Sequence, residues 1–266
     1  MASKFLAVGA YVPAAEAGVG SIATQSFANL AYRKAGLALL RSGKDASETL
    51  AELVSGDEQR EQRQAGIVGR SGPGATFTGS GCNSWAGGLV GDGYAIQGNI
   101  LTGPEVVAEM ERSWLDTSDE PDFARRLLAA LSAGDRAGGD RRGRQSASLL
   151  VVKSGAGYGG GDDVLADLRV DDHPDPVSEL ARLADLRDLY FGSTPPEDFL
   201  ALEGDLLDEV CRLLAAVGAE PAGSDPATVR EDLWGWASIE NLEDRFLDGP
   251  VVDPVVLDQL RKKASG

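Results

Sequence analysis

The run FTGSGCNSWAGGLVGDGYAIQGNILTG, residues 77–103, decides how this chain is read. Eight of its residues are glycine, and it carries Cys82, Asn83, Trp85, Gln97 and Asn99. Each glycine adds backbone entropy that folding must remove, so an amphipathic helix is excluded here. The pattern predicts two extended segments, 75–78 and 94–99, joined by a tightly turned polar loop. Glycine serves where φ is positive or where another group approaches the backbone closely. Two readings stand side by side. Either Cys82, Asn83, Ser84, Gln97 and Asn99 line a small-molecule site, or the stretch is a hairpin with an ornate turn.

On the N-terminal side, residues 4–10 and 20–25 are rich in Val, Ile and Ala and predict short buried strands joined by a Pro/Gly turn. Leu30, Leu37 and Leu40 fall at helical spacing and predict a helix over 27–41; a second spans 46–55, and 64–68 reads as a strand. On the C-terminal side, Pro104 opens a helix with Val106, Val107 and Met110 on one face, and 123–131 forms another. Within 134–152 a charged, glycine-rich loop becomes an apolar strand. Asp140, Arg142, Arg144, Gln145 and Ser146 crowd that junction, a place where binding groups concentrate; the plainer reading is a solvated loop with weak Arg/Asp pairs. Residues 168–172 make a last strand. Asp175 then caps a helix with Pro176 in its first turn, and His173, the only histidine, stands just before it.

A linker begins at Gly192. Beyond it, 199–217 reads as an acidic amphipathic helix, with further helices over 229–247 and 254–263. Trp234, Trp236 and Phe246 either stack on a sugar or fill the core of this small domain, and the core is the commoner use.

With 266 residues, 42% of them hydrophobic, the chain has room for a domain over 1–191 and a small helical one over 192–266. Its net charge is −17: residues 192–266 hold 16 acidic and 6 basic side chains, the rest 26 and 19. That balance excludes nucleic acid as the main partner and is compatible with a homo-oligomer. No apolar run approaches the roughly 20 residues of a membrane-spanning helix, and the first residues lack a secretory pattern. Cys82 and Cys211 have no paired spacing, as expected in a reducing cytoplasm. Neither belongs to a Cys/His cluster, so no metal and no cofactor are expected.

Six strings in order, ASKFLAVG (2–9), AGVGSIATQSF (17–27), GCNSWAGG (81–88), GYAIQGNIL (93–101), GGDRRGRQSA (138–147) and LRVDDHPDPVSEL (168–180), resemble the domain-of-unknown-function family 1028. The segment DLWGWASIENLEDRF (232–246), followed by VDPVVLDQL, resembles the peptidoglycan-binding domain often appended to that family. The resemblance implies an α+β fold of the N-terminal-nucleophile (Ntn) hydrolase type, a four-layer αββα sandwich, with a small α-helical domain behind it. It also implies cleavage of a small amide or ureide by a Thr, Ser or Cys at the free N-terminus, whose own α-amine is the base.

Here Met1 and Ala2 open the chain in what the family makes its second strand, and Ser3 lies one residue too deep to use its own amine. The expectation is therefore a form lacking its nucleophile. Ser3 and Lys4 resemble the Ser-Arg pair beside the nucleophile of proteasome-type members, where a cation lowers a neighbouring amine's pKa. Thr24 and Gln25 are expected to face the same pocket, Gln97 and Asn99 to bind the carbonyl or oxyanion, and Cys82 to lie nearby. Asp140 and Arg144 are expected to hold a charged end of the substrate, and His173 is a further binding candidate. The rival expectation is a non-catalytic binding protein. The missing export pattern argues against a cell-wall partner.

Overall fold

The computed structural model describes residues 1–266 and divides into two units, Met1–Ala184 and Asp185–Gly266. The first unit runs β1 (Ala2–Ser3), α1 (Val8–Tyr11), β2 (Pro13–Glu16), β3 (Gly20–Ser26), α2 (Ala31–Arg41), α3 (Ala46–Ser55), β4 (Arg63–Gly69), β5 (Ala75–Thr78), β6 (Gly87–Gly91) and β7 (Tyr94–Gly98). It continues through α4 (Glu105–Asp116), α5 (Phe123–Arg136), β8 (Ser146–Val152), β9 (Val164–Val170) and α6 (Pro176–Phe191), whose last turns belong to the second unit. The class is mixed α+β.

Three antiparallel sheets organise this unit: β2-β3-β4-β5, β1-β8-β9 and the hairpin β6-β7. Side chains alternate across a strand, and the two faces of β3 and β4 differ sharply. Ile22, Ala65 and Ile67 turn to one face and join Tyr32, Leu40 and Leu50 of α2 and α3 in a core. Gln25, Gln64 and Gly66 occupy the other face. On the second sheet, Leu149, Val151, Ala166 and Val170 pack with Leu128 and Leu131 of α5 and Val177 and Leu180 of α6. Aspartates set helix starts: Asp45 and Glu48 form a capping box on α3, and Asp122 accepts from Ala124 and Arg125 at α5.

The expected strand over 4–10 is absent. Only Ala2 and Ser3 pair with β8, and the chain then turns into α1 through Ala7 at φ 52°. Two side chains replace strand partners: the Asp140 carboxylate accepts from Lys4 N at 3.0 Å, and Ser146 Oγ from Val8 N at 3.1 Å. A short apolar run cannot by itself separate a strand from a buried helical turn. In this unit β2, β6 and the first half of β9 are further strand segments that escaped the sequence reading.

The second unit contains β10 (Leu200–Ala201), α7 (Gly204–Ala216), α8 (Pro226–Ile239), β11 (Val251–Val252) and α9 (Pro254–Ala264). Residues 199–203, read as helix from their charge and spacing, instead hold the short β10–β11 pairing. Val210, Leu214, Val229, Leu233, Trp236, Leu257 and Leu260 form its core. Trp236 is thus core, Phe246 packs against it, and Trp234 is exposed. Arg245, almost fully buried, donates to Asp253 at 3.0 Å and to the carbonyls of Asp188 and Leu189.

One buried carboxylate ties the β3–α2 connection to β4. Asp57 accepts from Arg63 Nε (3.0 Å), Asn29 Nδ2 (2.8 Å), Gln59 N (2.8 Å) and the Tyr32 hydroxyl (3.1 Å). The Arg63 guanidinium, then Asn29 and the other donors, hold its pKa well below the usual carboxylate range. Burial, with the Asp57 carboxylate beside it, pushes the Tyr32 hydroxyl up to about 12. Because the folded-state pKa is depressed, the stabilisation is present above the unfolded value of about 4 and fades as pH falls below it. Asp57→Asn is expected to cost about 3 kcal/mol at pH 7 in denaturant unfolding. Its deficit against the parent should shrink as pH drops from about 4 to 2; a deficit constant over that range would contradict the assignment.

Candidate functional site

In the β3–β4 register Gln25 stands opposite Gln64, and in the β4–β5 register Gln64 stands opposite Thr78. Gln64 is completely buried. Its Nε2 donates to Gly98 O (2.8 Å), Thr78 Oγ1 (2.9 Å) and Gly87 O (3.2 Å), while its Oε1 accepts from Gln25 Nε2 (2.7 Å) and Asn99 Nδ2 (3.1 Å). Gly87 and Gly98 are partners across the β6–β7 hairpin. One side chain therefore pins the hairpin onto the sheet and orients two further carboxamides.

Gln97, on β7, lays its carboxamide over Gly66 of β4. A Cβ at position 66 would fall 2.6 Å from Gln97 Nε2 and closer still to Oε1, so glycine is what admits this head group. Gln97 Oε1 is buried without a hydrogen-bond partner. Such an acceptor costs about 1–3 kcal/mol until something donates to it.

These groups wall a cavity of 530 Å³, bounded on the carboxamide side by Gln25, Asn83, Gln97 and Asn99. The chain after β7 brings the charged loop to the same place. Ile100 N donates to Asn83 O (3.0 Å), Arg141 N to Ile100 O (2.8 Å), and Thr102 N to Gly139 O (3.1 Å). Ser3, Asp140 and Arg142 then form the opposite edge.

Asp140 Oδ2 accepts from Lys4 N (3.0 Å), Ser3 Oγ (3.3 Å) and Arg142 Nη2 (2.8 Å), and Oδ1 from Arg142 N and Nε. Burial works to raise its pKa, but the Arg142 guanidinium and the backbone donors of Lys4 and Arg142 outweigh it and leave it below the ordinary value. Arg144 is paired as well, its Nε 2.7 Å from Asp135 Oδ1.

With this geometry in hand, the comparisons with known proteins place the chain. Residues 1–180 match the model of a "Family of unknown function (DUF1028)". The chain belongs to that family. Residues 190–260 match a second model, described as "Putative peptidoglycan binding domain". Among solved structures, this DUF1028 chain is similar to protein SPO2555 from Silicibacter pomeroyi, assigned to the same family. The two are 26% identical over 78% of this chain and 84% of that one, with a TM-score of 0.62. No curated protein matches.

Of the residues singled out from sequence, Ser3, Gln25, Asn83, Gln97, Asn99, Asp140, Arg142 and Arg144 line the cavity of this DUF1028 chain. Lys4, Thr24, Cys82 and His173 do not. Lys4 Nζ donates to Arg144 O at 3.3 Å on the exposed side of the loop. Thr24 cannot share a face with Gln25, its neighbour in the same strand; it is buried on the helix side, donating to Asn29 O at 3.3 Å. Cys82 Sγ donates to Arg63 O at 3.3 Å, and His173 Nδ1 accepts from Asp175 N at 3.1 Å ahead of α6.

Sequence reasoning passed over Gln64, the centre of the network. Its signal, a glutamine two residues before Gly66 on one strand face, gains meaning only once the register sets it against Gln25.

Two substitutions separate the scaffold from the site. Gln64→Leu leaves Gln25, Asn99, Thr78 and two hairpin carbonyls short of a partner, and is expected to lower unfolding free energy by about 3 kcal/mol or more. Gly66→Ala meets only the flexible end of Gln97, so it should cost no more than about 1 kcal/mol while displacing that head group. A crystal structure of Gly66→Ala with Gln97 unmoved would contradict this.

Proposed function

We propose that the first unit binds a small amide or ureide and, in the manner of the Ntn hydrolases its sequence resembles, hydrolyses the C–N bond. One observation carries this reading: four carboxamides, Gln25, Asn83, Gln97 and Asn99, line one wall of the cavity, and a buried glutamine fixes two of them, Gln25 and Asn99. A carboxamide offers donor and acceptor together, which matches another amide edge to edge.

In this reading the two larger sheets are the inner layers of an αββα sandwich. The nucleophile is a Thr, Ser or Cys heading a strand that leads into β1, with its α-amine as base. It attacks the carbonyl carbon, the amine leaves with the transferred proton, and water then releases the acyl group. Gln97 and Asn99 receive the developing oxyanion, while Ser3 stands beside the nucleophile.

Ser3 is itself poorly activated, because the carboxylate it faces is held below its ordinary pKa. That contact favours a second reading, in which the unit binds its ligand without cleaving it and the 185–266 unit engages another protein or a glycan.

The test begins with the product of the native gene, its first residue fixed by intact mass and N-terminal sequencing, assayed for ammonia or amine release from simple amides and ureides. The hydrolase reading expects Thr, Ser or Cys first, and release that falls about 100-fold in Gln97→Leu. A product that lacks such a residue and releases nothing would contradict hydrolysis; retained amide binding would then support the second reading.

A further inference from the structure

The cavity offers more than an amide-lined wall. Phe5, Tyr11, Phe27 and Leu30 stand at its edge, each with between 46% and 59% of its surface exposed. A single exposed aromatic needs no explanation, but four large apolar side chains on the mouth of one cavity do. They are held there. The Phe5 and Tyr11 rings meet edge to face with centroids 5.9 Å apart, and Arg33 Nη1 donates to Ala10 O at 3.0 Å beneath Tyr11. Arg63 donates to Phe27 O from the Asp57 cluster. Behind this rim the cavity continues along Val8, Val12, Val106 and Met110.

Its charges, by contrast, are already matched. The cavity lining holds two arginines and two aspartates: Arg142 lies in a two-pronged contact with Asp140, and Arg144 is paired with Asp135. Each arginine already faces an aspartate that offsets its charge, so an anionic ligand meets little net attraction, in a protein of net charge −17 that repels it. A cation would meet Asp140, whose acceptor positions are taken up by Arg142, Lys4 and Ser3, and Asp135, which already faces Arg144.

We infer that the ligand of this cavity is an uncharged amide or urea bearing an apolar, preferably aromatic, substituent. Its head group lies on the Gln97 and Asn99 wall and its substituent on the Phe5, Tyr11, Phe27 and Leu30 rim. This rests on the amide-binding reading above and specifies its substrate class: an uncharged carboxamide or urea head group, no carboxylate, and a side group large enough to cover the rim.

Four probes separate these features in an NMR titration of the ¹⁵N-labelled full chain at pH 7: 2-phenylacetamide, benzylurea, acetamide and phenylacetate. The expected result is that 2-phenylacetamide and benzylurea bind at least about tenfold more tightly than acetamide or phenylacetate, perturbing the side-chain amide signals of Gln97 and Asn99. Phe27→Ala, an exposed position, should weaken 2-phenylacetamide about fivefold and leave acetamide unchanged. Acetamide binding as tightly as 2-phenylacetamide overturns the apolar substituent and leaves amide recognition standing. Phenylacetate binding as tightly as its amide overturns the uncharged head group. Binding of no probe overturns both this inference and the amide reading beneath it.

Discussion

The first unit depends on one side chain whose hydrogen bonds reach four different segments. Gln64 sits where water cannot reach it, so each of its polar atoms must find a partner inside the protein. It finds them on β3, β5, both strands of the β6–β7 hairpin and Asn99 beyond it. This hairpin carries glycines at 87, 88, 91 and 98, and of its apolar side chains Ile96 is buried. Hydrogen bonds from Gln64 to Gly87 and Gly98 hold its open end, and backbone bonds from Gly74 N to Gly91 O and from Gly93 N to Gly72 O hold its turn. Asn83, Gln97 and Asn99 inherit their places from it.

The same economy governs the charged loop. Asp140 gathers donors from Ser3, Lys4 and Arg142, so it joins the start of the chain to the 138–144 loop while spending its charge internally. The result is a cavity with polar walls, an apolar mouth and no net charge among its charged side chains. Backbone elements on both sides, with Gln25, Asn99, Arg142 and Arg144 already held by hydrogen bonds, reduce the conformational entropy lost on binding. The second unit stands on a similar device: the buried Arg245 satisfies Asp253 and two backbone carbonyls around a helical core.

Much of this was legible in the residues. The helices α2, α3, α4, α5 and α9 follow from apolar spacing with Asp45, Pro104 and Pro254 near their starts, and β3, β4, β5 and β7 from short apolar or alternating runs. Gln97 and Asn99 stood out because amides amid so many glycines have few structural uses. What failed did so for physical reasons. The 4–10 run contains nothing to show that Asp140 and Ser146, some 140 residues away, would capture its amides, leaving a turn over 4–7 and a single helical turn from Val8. Thr24 was assigned beside Gln25 where the period of two sends them to opposite faces. Gln64 and the exposed rim of Phe5, Tyr11, Phe27 and Leu30 depend on register and on long-range packing, which a single sequence does not encode locally.

The central claim is that Gln64 is a fixed, fully satisfied hub. Hydrogen exchange of its side-chain amide protons, followed by NMR with assigned carboxamide signals, tests it most directly. The account predicts that they are protected to the level of the β4 backbone amides, exchanging only when the sheet itself opens. Exchange at the rate of a solvent-exposed glutamine would contradict the hub, and with it the architecture of the site.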